Sequence, residues 1–525
     1  MIRQLRYLMV LACTVTTAQD ILWEHSYGGK QAEYLFDLQA TPDYGFILAG
    51  SSLSEKTGNK TEDNKGDLDY WIWKMDEKGA AEWQKSFGGS GSDFLQSFRL
   101  TPDGGYILGG ISTSGKDLDK NEDTRGGNDY WIIKLNAKGN EEWQHTFGGD
   151  GQDDLLSVIP SRNGGYLVAG SSSSAATGDK TAKHHGNMDY WLLQLDSKGK
   201  VQWQQSYGGD YADLLRSVEA TQDGGYILGG YSNSTQSGDK SSSNYGEGGD
   251  YWIIKIDAKG IIEWQQTLGG DKDDQLYALH QTADQGYIVA GSSNSGLTNN
   301  KNRANRSGTD FWVLQLDMLG NIVWQETYDF GKYDILTSLV ENDDHSFLIG
   351  GHAQSESKKG KDPEAVNDYV ALKISPTGEK LWEKTVGSSG EDILKKVVET
   401  RDGGYVMAGT SDGKVSRDKN SGVGNKDFWV VKLKDKDKQE QGEKKALEAF
   451  PNPTVQFTNV VVGMEYDSGT VQVFDLAGRE MYTAAVKGRT VPLDLGQYPD
   501  GIYIVRVITN NGEGVVKIMK RTIKE

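Results

Sequence analysis

The chain has 525 residues, too long for one ordinary domain, so several domains or a repeat array is expected. Its 56 basic and 75 acidic side chains leave a net charge of −19, which argues against nucleic-acid or anionic-membrane partners, since both demand clustered lysine and arginine. With 67 glycines, 14 tryptophans and 25 tyrosines, the composition points to many turns between aromatic-rich strands and away from disorder.

The first segment, MIRQLRYLMVLACTVTTAQD, places Arg3 and Arg6 before an apolar run from Tyr7 to Val15 and then Thr16-Thr17-Ala18. That order is the signature of a secretory signal over residues 1–18, with cleavage expected after Ala18. The apolar run is too short to span a bilayer, and no later segment approaches about twenty apolar residues, so an exported, soluble mature chain without a transmembrane segment is expected. Cys13 is the only cysteine and lies inside that signal, so the mature chain should carry no disulfide. Val10-Leu11-Ala12-Cys13 resembles the lipid-attachment box of bacterial lipoproteins, although Leu11 stands where a smaller or branched residue is usual. Lipidation of Cys13 is therefore the alternative to cleavage at Ala18.

From residue 19 the chain repeats itself. A tryptophan recurs at Trp23, Trp83, Trp143, Trp203, Trp264, Trp324 and Trp382. An aspartate before an aromatic pair recurs at Asp69, Asp129, Asp189, Asp250, Asp310 and Asp427, with Asp368 in a degenerate DYV copy. An acid after a Gly-Gly position recurs at Glu33, Asp93, Asp153, Asp213, Asp274, Asp334 and Asp392. Seven copies of each marker, with a period of 58 to 61 residues, define a repeat protein.

One unit reads as four short strands: DFLQSFRLT (93–101), GGYILGGIST (104–113), DYWIIKLN (129–136) and EEWQHTFG (141–148). Each is rich in aromatic and β-branched residues and is bounded by Gly, Asp or Asn. Such a unit cannot bury its own faces, so copies must stack, either as an open solenoid or as a ring of blades. The order of markers decides. A tryptophan strand (21–29) precedes the first complete unit, and the last unit ends at 427–433 without one. A ring in which the N-terminal strand completes the last blade explains both ends. The expected fold is all-β: a seven-bladed β-propeller over 19–433, with a small C-terminal β-sandwich after it.

The pattern WxxxxGGxxxD, then DGGYILxG, then a Ser-rich stretch resembles the seven-bladed β-propeller repeat family of secreted bacterial proteins. That resemblance implies a fold and carries no reaction. The sixth unit departs most, with YDFGKYD (328–334) in place of the Gly-Gly motif and Val370 in place of tryptophan.

Residues 434–449 are charged and aperiodic, which predicts a linker. Residues 450–525 show the alternation and turns of a small Ig-like β-sandwich. Within them FPNP (450–453), DLAGR (475–479), GIYIVRV (501–507) and the basic end KIMKR closely resemble the type A C-terminal sorting domain of the type IX secretion system. The resemblance implies as partners an outer-membrane translocon and its sorting peptidase, engaged through 450–525. It also implies passage through the periplasm of a Gram-negative bacterium to the cell surface or medium.

Chemistry is harder to find. The two carboxylate rings open the first and third strands on one face of the ring, where short acids accept main-chain N–H bonds beside Gly-rich loops; calcium coordination is the alternative. KDLDKNED (116–123) offers Asp117, Asp119 and Asp123 as calcium candidates, without the glycine and terminal glutamate of an EF-hand. His184 and His185 are adjacent, which is not a metal-ligand spacing. The tryptophans of the third and last strands are expected in the core, where each buries roughly 150–250 Å². No cofactor and no catalytic residue is identified; calcium is the one metal weighed.

Variation between copies gives candidate binding residues. Three positions after each ring acid stand Phe36, Gln96, Leu156, Arg216, Tyr277, Thr337 and Lys395, which an innermost strand would present to the central channel. The reading is an exported or surface-displayed monomeric propeller that binds a protein or glycan ligand. The alternatives are a glycan lyase or hydrolase with its site at the channel mouth, and a passive surface-layer or adhesive component.

Overall fold

The structure is a computed structural model describing residues 19–162, 164–354, 366–436 and 446–521. The expected signal, with Ala18 and Cys13, lies outside the described residues. Seven four-stranded antiparallel sheets account for the repeats. The first runs Glu33–Ala40, Phe46–Ser52, Asp69–Met75, Ala81–Phe87, and the next five follow the same order. The seventh is composite. Asp20–Tyr27 pairs antiparallel with Asp427–Lys434, with Trp23 opposite Lys432 and Tyr27 opposite Phe428. The ring therefore closes through the N-terminal strand, and the innermost strands of the first and seventh blades touch as neighbours elsewhere do.

Blade packing explains the burial pattern of each strand. The third strand lies between two neighbouring blades and is buried throughout, as in Asp129–Leu135 and Asp189–Leu195; its sequence is accordingly a continuous apolar run. Its tyrosine reaches into the next blade. Tyr70 packs on Trp131 at 4.8 Å between ring centroids and donates its hydroxyl to the Trp131 carbonyl at 3.1 Å. Tyr130, Tyr190, Tyr251 and Tyr369 repeat that contact around the ring. Each aromatic pair is worth about 0.5–1.5 kcal/mol beyond the area it buries.

The tryptophans divide in a way that periodicity did not anticipate. Those of the third strand, such as Trp71, Trp131 and Trp191, are fully buried. Those of the last strand are only half-buried, except Trp382, because that strand is the outer edge of its blade. Trp83, Trp143 and Trp264 lean on the second-strand tyrosine of the next blade, at 5.5 to 5.9 Å between centroids.

The charged stretch expected as a linker from 434 begins inside the propeller. The last strand runs to Lys434, and Asp435 is buried, accepting from Lys373 at 3.0 Å and from the Tyr405 hydroxyl at 2.8 Å. On the far side, Leu447–Phe450 is already a strand. It pairs with Phe457–Val462, which pairs with Thr490–Asp494. A second sheet orders Glu480–Val486, Gly469–Asp475, Gly501–Thr509 and Gly512–Lys520. Val460, Val471, Val505 and Ile518 fill the core between the sheets.

The sorting-domain motifs are structural pieces of this sandwich. In DLAGR, Asp475 Oδ1 accepts the N–H groups of Ala477 and Arg479, both at 2.9 Å, and Gly478 takes a φ of 81° that other residues resist. In FPNP, Asn452 ties the segment to the basic end through the Met519 N–H at 2.9 Å and the Lys517 carbonyl at 2.8 Å. The sandwich lies against the turns that join first to second and third to fourth strands. Thr490 donates to Asp43 at 2.7 Å, Arg489 meets Glu77 at 2.9 Å and Arg401 meets Glu448 at 2.7 Å. The long-loop face, where the acid rings lie, is at the opposite end of the same strands.

Candidate functional site: a channel ring between two polar faces

The innermost strand of every blade carries a β-bulge at one position. The pairing with the second strand skips from Leu35 to Asp37, from Leu95 to Ser97, from Leu155 to Ser157, and from Leu215 to Ser217. It skips likewise from Leu276 to Ala278, from Leu336 to Ser338, and from Leu394 to Lys396. The skipped residues are Phe36, Gln96, Leu156, Arg216, Tyr277, Thr337 and Lys395, the variable positions singled out from the repeats. A bulge leaves its extra residue unpaired and re-aims the side chain. All seven line one cavity of about 530 Å³ on the channel axis.

This ring holds two cations and no carboxylate. Arg216 lies over the Tyr277 ring at 5.9 Å and Lys395 over Phe36 at 5.5 Å. Burial and the charge of Arg216 both hold the Lys395 ammonium below its usual pKa. Deeper in the cavity Lys396 also lines the wall, its pKa lowered chiefly by burial, and other charges are paired. Arg99 bonds to Asp37, and His280 meets Glu219 at 2.9 Å and Glu341 at 3.4 Å. Burial opposes the charge on His280, but the two glutamates outweigh it and raise its pKa.

At the long-loop face the ring acids cap turns. Gly89, Gly149, Gly209 and Gly270 donate their N–H groups to Asp93, Asp153, Asp213 and Asp274 at 2.7 to 2.8 Å. Arg125, His185 and Arg306 donate main-chain N–H groups to Asp129, Asp189 and Asp310 at 2.7 to 2.9 Å. The two rings also face each other across blade boundaries. Burial first, then the neighbouring Asp93 or Asp153, push Asp69 and Asp129 up to about 6. Asp250, beside Asp274, rises to about 8.

A third ring was not anticipated. Lys60, Lys120, Lys180, Lys240, Lys301 and Lys419 are each 1 to 2% exposed. Each sits near both acids of its own blade, and burial pulls its pKa down, to about 8 for Lys240 and Lys301. Lys120 and Lys180 donate to the carbonyls of Ser114 and Ser174 at 2.8 and 2.9 Å. Their signal in the chain is an Asp-Lys or Asn-Lys pair recurring at the repeat period, at 59–60, 119–120, 179–180, 239–240, 300–301 and 418–419.

That pair accounts for the loop read as a calcium candidate. Asp119 accepts the Gly88 N–H at 3.2 Å and pairs with Lys65, as Asp179 and Asp418 accept from Gly148 and Gly387 in their own blades. Asp117 accepts from Ser90 N–H at 3.0 Å, and Asp123 from Lys116 N–H at 2.7 Å. The three carboxylates diverge to separate turns and do not converge on one point. His184 and His185 likewise part company, meeting Asp189 at 3.0 Å and Asp239 at 3.2 Å. A second cavity, of about 570 Å³, separates the first two blades from the sandwich between Trp83, Tyr106, Val461 and Arg489.

The fold and its tail define the class: a propeller-type repeat protein exported by the type IX secretion system to the cell surface or beyond. Residues 448–521 match the secretion system C-terminal sorting domain family. The regulatory protein FlaEY of Caulobacter vibrioides is 23% identical over 187 residues, 33% of this chain. The chain spans only 20% of that curated relative's length. Among solved structures, a puromycin hydrolase overlaps 91% of this chain and 59% of its own, at 9% identity and a TM-score of 0.42. A glucose dehydrogenase overlaps 65% and 95%, at 10% identity and a TM-score of 0.34. Overlaps this loose carry no argument about chemistry. Among the described residues no helix is long and apolar enough to cross a membrane.

Proposed function

We propose that this exported propeller is a binding protein whose channel ring takes an anionic glycan. The observation that carries the reading is the ring of bulged residues, which brings Arg216 and Lys395 together with Tyr277 and Phe36 and includes no acid. Two cations facing one channel repel each other, as the pKa of Lys395, lowered by burial and then by Arg216, records, and an anion shared between them relieves that. Aromatic faces beside cations suit a sugar that bears a carboxylate or sulfate. Asp37 and Glu219, the carboxylates deeper in the cavity, are committed to Arg99 and His280. That commitment favours binding over acid–base catalysis.

The test is an array of uronate-bearing, sulfated and neutral oligosaccharides probed with the purified protein, followed by titration of the strongest hits. Acidic glycans should bind best, and the Arg216→Ala, Lys395→Ala double variant should lose about tenfold or more in affinity while keeping its melting temperature. Equal binding of neutral glycans, or an unchanged double variant, would reject the reading.

A further inference from the structure

The boundary between the fifth and sixth blades is chemically unlike the other six. In those six, the first glycine of the Gly-Gly position lies hard against the acids of the rings. A Cβ on Gly88, Gly148, Gly208, Gly269 or Gly387 would sit 1.9 to 2.1 Å from the third-strand aspartate carboxylate, and one on Gly28 would sit 2.4 Å from Glu33. At the same place in the sixth repeat stands Asp329. The segment is rebuilt to admit it, with the Phe330 ring tilted against Phe311 at 5.2 Å between centroids and its N–H donated to Asp334 at 2.7 Å. A carboxylate therefore takes the glycine's place beside the pair that every boundary already has.

The ligand oxygens of Asp310, Asp329 and Asp334 all lie within 4.8 Å of one another. Oxygens no farther apart than this can share one ion at about 2.4 Å each, the calcium distance. Asp310 and Asp334 are fully buried, and each keeps a buried Oδ1 that no hydrogen-bond donor among the described residues satisfies. Their other oxygens are used, by the Arg306 and Phe330 N–H groups. Ser307 approaches Asp329 at 3.5 Å. The nearby Lys301 spends its ammonium on Ser293 at 2.7 Å and Asn305 at 2.6 Å. Burial and the neighbouring acids accordingly raise Asp310 to about 6 and Asp334 to about 7.

We propose that Asp310, Asp329 and Asp334 form a calcium site that ties the fifth blade to the sixth. All three donors are carboxylate oxygens with no nitrogen or sulfur, which selects a hard cation. Calcium, with six to eight ligands, fits an irregular cluster completed by water better than magnesium, which demands a near-ideal octahedron. The degenerate sixth repeat is then the one boundary pinned by an ion where glycine packing was given up.

Calorimetric titration of the full chain with calcium chloride, against magnesium chloride, tests this, with melting temperature as a second readout. One calcium should bind per chain, and saturation should raise Tm by about 3 °C or more. Asp329→Gly restores the residue that six boundaries already use, so it should fold, bind no calcium and show no calcium-dependent Tm. Asp329→Asn keeps the side-chain shape and should bind at least about tenfold more weakly. An absent calcium response in the parent, an equal response to magnesium, or an undiminished response in both variants would overturn the site.

Discussion

Replacing Asp250 by asparagine is expected to stabilise the protein at neutral pH, although it removes a residue repeated in every blade. Asp250 is fully buried, with its Oδ1 unsatisfied and Asp274 and Asp273 facing it; Lys240 is the nearby cation. Burial, then the two aspartates, raise its pKa to about 8 against the cap that Tyr245 N–H provides. An unfolded aspartate ionises near about 3.9. Between those two values the folded state holds a proton that the unfolded chain has released, so stability falls as pH rises across the window. The slope is at most about 1.4 kcal/mol per pH unit, and by pH 7 the accumulated loss is bounded by about 4 kcal/mol. Asparagine carries no proton to hold, and its amide oxygen still accepts the Tyr245 N–H. Asp250→Asn should therefore unfold at higher urea than the parent at pH 7, by up to that bound, and lose about one proton of pH dependence between about pH 5 and about pH 8. A variant less stable than the parent at pH 7, with a parallel pH profile, would show that the carboxylate is ionised and paired, and the account of the facing rings would fail.

Deleting residues 20–27 strips the outer strand from the seventh blade and exposes the edge of Asp427–Lys434. A lower melting temperature and concentration-dependent aggregation are expected, and light scattering with thermal denaturation checks both; an unchanged, monomeric deletion variant would rule out closure by this strand. Truncation after Lys445 removes the sorting domain, so in the native host the propeller should accumulate in the periplasm. Fractionation that finds it at normal levels on the surface or in the medium would contradict the role of residues 448–521.

The blade count, the strand order and ring closure were legible in the chain itself, because each depends on short-range alternation and on markers repeated at a fixed period. The orphan Trp23 strand and the unfinished unit at 427–433 sufficed to join the two ends. So did the bulged positions: Phe36, Arg216 and Lys395 stood out as variation against a constant background. What only the tertiary structure decided depends on neighbouring blades meeting. Asp129 and Asp153 belong to different units, and nothing in either strand reveals that their carboxylates face each other or that a buried lysine stands by each. Trp143 and Trp131 look alike in sequence, yet one lines an outer edge and the other lies between two blades. Asp329 reads as decay of a glycine motif until the ring places it beside Asp310 and Asp334, since that proximity follows from blade packing and not from any local preference of the chain.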